Sequence, residues 1–131
     1  MNLNQVTVGC TDVARSIAFY RRLGLIPIVL TDHYARFVCP DGEASFSIHR
    51  VDAVAASETT VFFECADLDA DVARLKALGI TFQTDPVDEP WLWRQARLRD
   101  PDGNRLCLFH AGVNRLDPPW RVRDAHPPSE R

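Results

Sequence analysis

Two stretches of this chain align without a gap: residues 11–25, TDVARSIAFYRRLGL, and residues 66–80, ADLDADVARLKALGI. Asp12 falls on Asp67, Val13 on Leu68, Ile17 on Val72, and Leu23-Gly24-Leu25 on Leu78-Gly79-Ile80, all at an offset of 55. Pro40-Asp41-Gly42 then matches Pro101-Asp102-Gly103 at an offset of 61. A two-fold repeat in 131 residues means two copies of one supersecondary unit, neither large enough to bury a core alone. The copies must pack on each other, and a cleft between them is the first place to look for function.

The same pattern sets the order of elements. Gln5-Val6-Thr7-Val8 alternates polar and apolar, and Thr60 to Cys65 fills its place in the second copy. Val13, Ile17, Tyr20 and Leu23 lie on one face of a 3.6-residue period, as do Leu68, Val72, Leu75 and Leu78. Thr11 or Asp12, and Asp67 or Asp69, supply capping oxygens; Gly24 and Gly79 sit where a left-handed terminator is wanted. Three strand-like runs follow each glycine: Leu25–Leu30, Tyr34–Val38 and Ala44–Arg50, then Ile80–Gln83, Trp93–Leu98 and Arg105–Phe109. The expectation is an α+β fold of two tandem β-α-β-β-β units, at 3–50 and 59–110, in one domain spanning 1–113. Residues 51–58 join the units. Residues 114–131 read as an extended, proline-rich tail with Trp120 as its apolar anchor and the last seven or eight residues frayed.

Composition closes off several classes. With 46% hydrophobic and 25% charged residues the chain is globular, and a net charge of −3 gives no footprint for nucleic acid or anionic membrane. No window approaches the roughly 20 apolar residues of a membrane span, and no signal peptide is visible. Cys10, Cys39, Cys65 and Cys107 form no CxxC pair and sit in apolar segments, which fits reduced thiols in a cytoplasmic protein.

The doubled unit, DVARSIAFYRRLGL, and the Asp100-Pro101-Asp102-Gly103-Asn104 turn before the last strand together resemble the vicinal oxygen chelate superfamily. That group includes glyoxalase I, extradiol dioxygenases, and fosfomycin- and bleomycin-resistance proteins. The resemblance covers about residues 3–110 and implies a curved mixed sheet with a concave cleft, and a homodimer. In metal-dependent members, ligands come from the first and last strand of each unit. Carried over, these positions are Gln5, Ser47, Thr60 and Cys107, with His49 the alternative to Ser47 because the turn alignment pairs it with His110. Gln5 is an acceptable ligand, whereas Ser47 and Thr60 are poor ones and Cys107 replaces a carboxylate. The expected cofactor is therefore none, with a divalent metal as the alternative.

Other residues suggest what the cleft accepts. His49, beside two serines, is a candidate general base or a cleft histidine without a chemical role. Glu64 is a candidate acid or base, or the partner of a cleft arginine such as Arg97. If Ala96 and Leu98 face the helices, then Trp93, Gln95 and Arg97 face the other side, and an aromatic wall beside an arginine suits a planar organic anion. Cys107 has no activating neighbour in sequence and reads as a packed thiol. The leading expectation is a metal-independent protein binding a small, anionic organic molecule through Gln5, Ser47, Thr60, Trp93, Arg97 and Cys107, with His49 and Glu64 as catalytic candidates. The alternatives are a metal-dependent lyase, isomerase or dioxygenase with a non-standard ligand set, and a drug-sequestering dimer.

Overall fold

A computed structural model describes residues 1–123. The first unit runs β1 (Gln5–Cys10), α1 (Val13–Leu23), β2 (Ile26–Leu30), β3 (Tyr34–Val38) and β4 (Ser45–Arg50). The second runs β5 (Thr60–Glu64), α2 (Leu68–Ala77), β6 (Val87–Asp88), β7 (Arg94–Arg99) and β8 (Arg105–His110), followed by a 3-10 turn at Gly112–Arg115. Each unit forms one four-stranded mixed sheet, ordered β1-β4-β3-β2 and β5-β8-β7-β6. The outer pairs β1/β4 and β5/β8 are parallel and the remaining pairs antiparallel.

The repeat holds down to single hydrogen bonds. Asp12 caps α1 by accepting from Arg15 N at 3.1 Å, and Asp67 caps α2 by accepting from Ala70 N at 3.1 Å. At the other end, Leu25 N donates to Tyr20 O and Ile80 N to Leu75 O, both at 3.0 Å. Both closures need the chain to swing through positive φ, supplied by Gly24 at 115° and Gly79 at 88°. The copies diverge after that. Residues 80–83 do not form the expected strand: only Phe82 bridges to Leu98, and the edge role passes to the two-residue β6. Pro86 separates these residues from β6, and a proline has no N–H to give a ladder.

The inward side chains of both sheets meet in one core, with Phe37, Phe46 and Ile48 from the first unit and Ala96, Leu98, Leu106 and Leu108 from the second. Phe46 meets Phe63 across the units at 5.8 Å between ring centroids. The 100–104 turn supplies the polar half of the joint. Buried Asp100 accepts Tyr20 OH at 2.6 Å, Asn104 Nδ2 at 2.8 Å, and the amides of Asp102 and Asn104 at 2.9 Å. Asp102 in turn accepts from Thr11 N, Thr11 Oγ1, Arg15 Nη2 and Ser16 Oγ at 2.7–3.3 Å. Asn104 Nδ2 reaches Gly9 O at 2.9 Å. The Asp-Pro-Asp-Gly-Asn sequence is thus a clamp, in which a turn of one unit satisfies the N-terminal end of the other unit's helix.

Candidate functional site

Strand alternation sends one set of side chains into the core and the other outward. In the first unit Thr7 pairs with Ser47, and in the second Phe62 pairs with Cys107. Ser47 and Cys107 are therefore equivalent positions at an offset of 60, one less than that of the turns, and His49 is the counterpart of Phe109. By strand register the repeat partner of Cys107 is Ser47, not His49.

On the first unit's outward face the structure brings Gln5 and Ser47 together. Ser47 Oγ lies 2.6 Å from Thr7 Oγ1 and accepts from Gln5 Nε2 at 3.5 Å, while Ser45 Oγ donates to Gln5 Oε1 at 2.8 Å. Tyr34 and Arg36 on β3 stand opposite His49 and Ser47. Arg36 Nε donates to Tyr34 OH at 2.9 Å with its guanidinium 5.4 Å from the ring centre. The nearby Ser47 hydroxyl holds the Tyr34 phenol below its ordinary pKa; desolvation opposes it, and Arg36 and Gln5 add smaller lowering effects. His49 is exposed, and its side chain makes no hydrogen bond among the described residues.

The second unit's outward face carries two kinds of chemistry along one ladder. At one end Trp93 stacks on Phe109, with centroids 4.5 Å apart, and Phe62 meets both rings edge-on. Trp93 Nε1 donates to Asn114 O at 3.4 Å, which ties the aromatic group to the 3-10 turn. Next along the ladder Arg97 stands opposite Cys107, and beyond it Arg99 stands opposite Arg105. Thr60 pairs with Arg105. Burial pushes the Cys107 thiol up to about 11, with Arg97 opposing and Glu89 adding to the shift.

Glu64 is committed elsewhere. Its Oε2 accepts the amides of Ala111 and Gly112 at 2.8 and 2.9 Å, and its Oε1 lies 3.6 Å from Arg115 Nε. Its ion-pair partner is Arg115 and not the expected Arg97. No hydrogen bond, ion pair or aromatic contact joins the Gln5/Ser47 group to the Trp93/Arg97/Cys107 group among the described residues. Trp120 is 58% exposed, so it does not dock as an anchor within this chain. The frayed end expected of the tail lies outside the described residues. The four cysteines are unpaired.

Tyr34, Arg36, Thr7 and Arg105 escaped the sequence reading. The alternation of Tyr34 and Arg36 within an expected strand was a usable signal; the facing of Arg105 needed the β7/β8 register.

The four positions that the family resemblance assigns to a metal ion, Gln5, Ser47, Thr60 and Cys107, offer a poor set of donors. Gln5 and Ser47 already satisfy one another and their neighbours, Thr60 is a hydroxyl, and the one anionic donor available, the Cys107 thiolate, is suppressed by burial. No group of three His, Cys, Asp or Glu suited to a metal occurs among the described residues. This donor set does not fit a hard divalent ion.

The sequence profile of the Glyoxalase/Bleomycin resistance protein/Dioxygenase superfamily matches residues 2–108. The chain belongs to that superfamily. Comparison with curated proteins finds no match. Among solved structures, a bleomycin resistance determinant encoded on the transposon Tn5 superposes with a TM-score of 0.72 at 21% identity, over 84% of this chain and 98% of that one. A lactoylglutathione lyase from Agrobacterium tumefaciens gives 0.70 at 22%, over 86% and 95%. A bleomycin-binding protein solved with bleomycin gives 0.69 at 22%, over 84% and 98%. At these identities the fold is shared by a lyase, a resistance determinant and a drug-binding protein alike, so function has to come from the side chains. No helix among the described residues is long and apolar enough to cross a membrane.

Proposed function

We propose that this superfamily member binds a small organic anion with a planar ring on the outward face of its second sheet, without a metal ion. The observation that carries the reading is the ladder in which the Trp93–Phe109 stack gives way, one rung on, to Arg97 beside Cys107. Aromatic faces take a ring by stacking, and the adjacent guanidinium takes a carboxylate or related group through paired N–H donors. Thr60 adds a hydroxyl to the same face. The reading is one of binding: Glu64, the carboxylate nearest in the ladder, is spent on two backbone amides and Arg115. Gln5, Ser47 and His49 belong to the first unit's face and are assigned to a second polar surface for the same class of ligand.

The reading includes a homodimer in a reducing, cytoplasmic setting. Ile26, Ile28 and Leu30 on edge strand β2 are 49, 54 and 55% exposed, an apolar row that a second copy would cover. Four unpaired cysteines support the compartment. Light scattering tests the first point, with a mass of about twice 14.8 kDa expected and a monomer refuting it.

Tryptophan fluorescence tests the function. Aromatic carboxylic acids should quench emission in wild-type protein with EDTA present, and Trp93→Phe should remove the quenchable part while Trp91→Phe and Trp120→Phe keep it. Quenching abolished by EDTA, or unchanged in Trp93→Phe, would refute the reading.

A further inference from the structure

β7 and β8 place three arginines on one face in alternate rungs of the ladder, Arg97 opposite Cys107 and Arg99 opposite Arg105, with Leu98–Leu106 between them facing the other way. Together with Gln83 they line a cavity of about 360 Å³ whose other lining residues are Leu98 and Leu106. Those two leucines turn their side chains into the core, so the arginines and Gln83 form the polar walls over a backbone floor. Gln83 is held there because its amide donates to Arg97 O at 2.8 Å, while its neighbour Phe82 packs toward the core.

Nothing in the described residues neutralises this group. The full chain carries a net charge of −3, yet among the described residues no ion pair reaches Arg97, Arg99 or Arg105. Arg99 Nη1 donates to Gly103 O at 2.9 Å, which fixes one guanidinium in place. Among the described residues the side chains of Arg97 and Arg105 donate no hydrogen bond, and Arg105 Nε is shut off from solvent without an acceptor there. Converging like charges and an orphaned buried donor both work against folding, and such exceptions to local consistency concentrate at functional sites.

We infer that this cavity is a subsite for a tetrahedral oxyanion, a phosphate or phosphonate group, carried by the ligand of the aromatic face. Guanidinium N–H groups donate in pairs to oxygens of one anion. A carboxylate has two oxygens and one charge to share among three guanidiniums, whereas a phosphoryl dianion has three terminal oxygens and two charges. The Arg97–Cys107 rung lies between the Arg99–Arg105 rung and the Gln95–Phe109 rung. Phe109 and Arg105 are four residues apart, about 13 Å of strand, and the arginine side chains shorten that gap to the span of one small molecule. The ligand class is thus an aryl or heteroaryl phosphate or phosphonate. The inference rests on the preceding reading only for where the ring lies; the oxyanion subsite stands on its own residues.

Calorimetric titration of the full chain at low ionic strength, with inorganic phosphate and with phenyl phosphate, tests it. Phosphate should bind at one site per chain, and phenyl phosphate more tightly. Arg97→Gln and Arg105→Leu should each weaken phosphate at least about tenfold. Arg105→Leu should at the same time raise the melting temperature of the ligand-free protein, because it removes the orphaned donor; an arginine with a purely structural role would lower it. Trp93→Phe should leave phosphate affinity unchanged and remove the advantage of phenyl phosphate. Absence of one-site phosphate binding, or affinity unchanged in both arginine variants, overturns the inference. If aromatic acids still quench Trp93 while phosphate fails to bind, the oxyanion subsite falls and the aromatic reading survives. If phosphate binds and no aromatic acid quenches Trp93, the subsite stands and the aromatic reading falls.

Discussion

Tyr20→Phe isolates the polar joint between the units with one atom. The ring is fully buried and packs on Phe19, Phe37 and Phe46 at centroid distances of 5.1, 5.9 and 4.6 Å, contacts that phenylalanine keeps. What is lost is the 2.6 Å hydrogen bond from the hydroxyl to Asp100 Oδ2, a carboxylate only 5% exposed. Asp100 keeps Asn104 Nδ2 and two backbone amides, so it is not left unpaired. A hydrogen bond to a charged group contributes about 1.5–3 kcal/mol, and about 2 kcal/mol is the expected loss. With an unfolding entropy of roughly 2.1 cal/mol/K per residue, that loss lowers the melting temperature by about 7 °C. Urea denaturation at pH 7 should show it as a lower midpoint with an unchanged slope.

The same variant has a pH signature. Burial first, then the charge of Asp100, raises the Tyr20 pKa far above its ordinary value. Unfolded tyrosine ionises near about 10, whereas native Tyr20 keeps its proton well beyond that. The unfolded state therefore binds fewer protons above pH 10, and this contribution to stability, fully present below pH 10, is lost as pH rises, at up to about 1.4 kcal/mol per unit. Cys10, Cys39, Cys65 and Cys107 add slopes of the same sign, since each thiol is raised. Subtracting the Tyr20→Phe curve from wild type cancels those. A midpoint loss below about 0.5 kcal/mol, or a difference curve flat above pH 10, would refute the clamp as described.

Two further outcomes follow from the site. Glu64→Gln replaces a carboxylate by an amide at the amides of Ala111 and Gly112, and should cost about 1 kcal/mol and speed limited proteolysis after residue 111; equal cleavage rates would contradict the anchoring role. Cys107 is fully buried with its thiol pushed up to about 11, so little of the reactive thiolate is present at about pH 7.5. Iodoacetamide followed by mass spectrometry should leave Cys107 unlabelled until denaturant is added, and rapid labelling of the native protein would show the site to be open.

Much of the scaffold was legible because it is local. The helices follow from apolar spacing, an aspartate at each start and a glycine at each end, and the structure keeps these features at the same offset. The second unit's missing strand was not legible. Ile80 and Phe82 alternate as strand residues do, but they are drawn into the core and only one bridge forms. The site was legible in part. Trp93 and Arg97 share a face by simple alternation, once Ala96 and Leu98 are known to point inward. The partner of Glu64 was not, since two backbone amides 47 and 48 residues away carry no side-chain signature. Arg105 looked like one more arginine in an arginine-rich chain until the register set it beside Arg99.

The most direct test of the ligand face is nuclear magnetic resonance of the labelled full chain titrated with phenyl phosphate in the presence of EDTA. The account predicts saturable shifts at the Trp93 indole N–H, the Arg97 and Arg105 Nε–H groups and the Cys107 amide, with the Trp120 indole unmoved. Shifts confined to Gln5, Thr7 and Ser47, or shifts that appear only when a divalent metal is supplied, would contradict it.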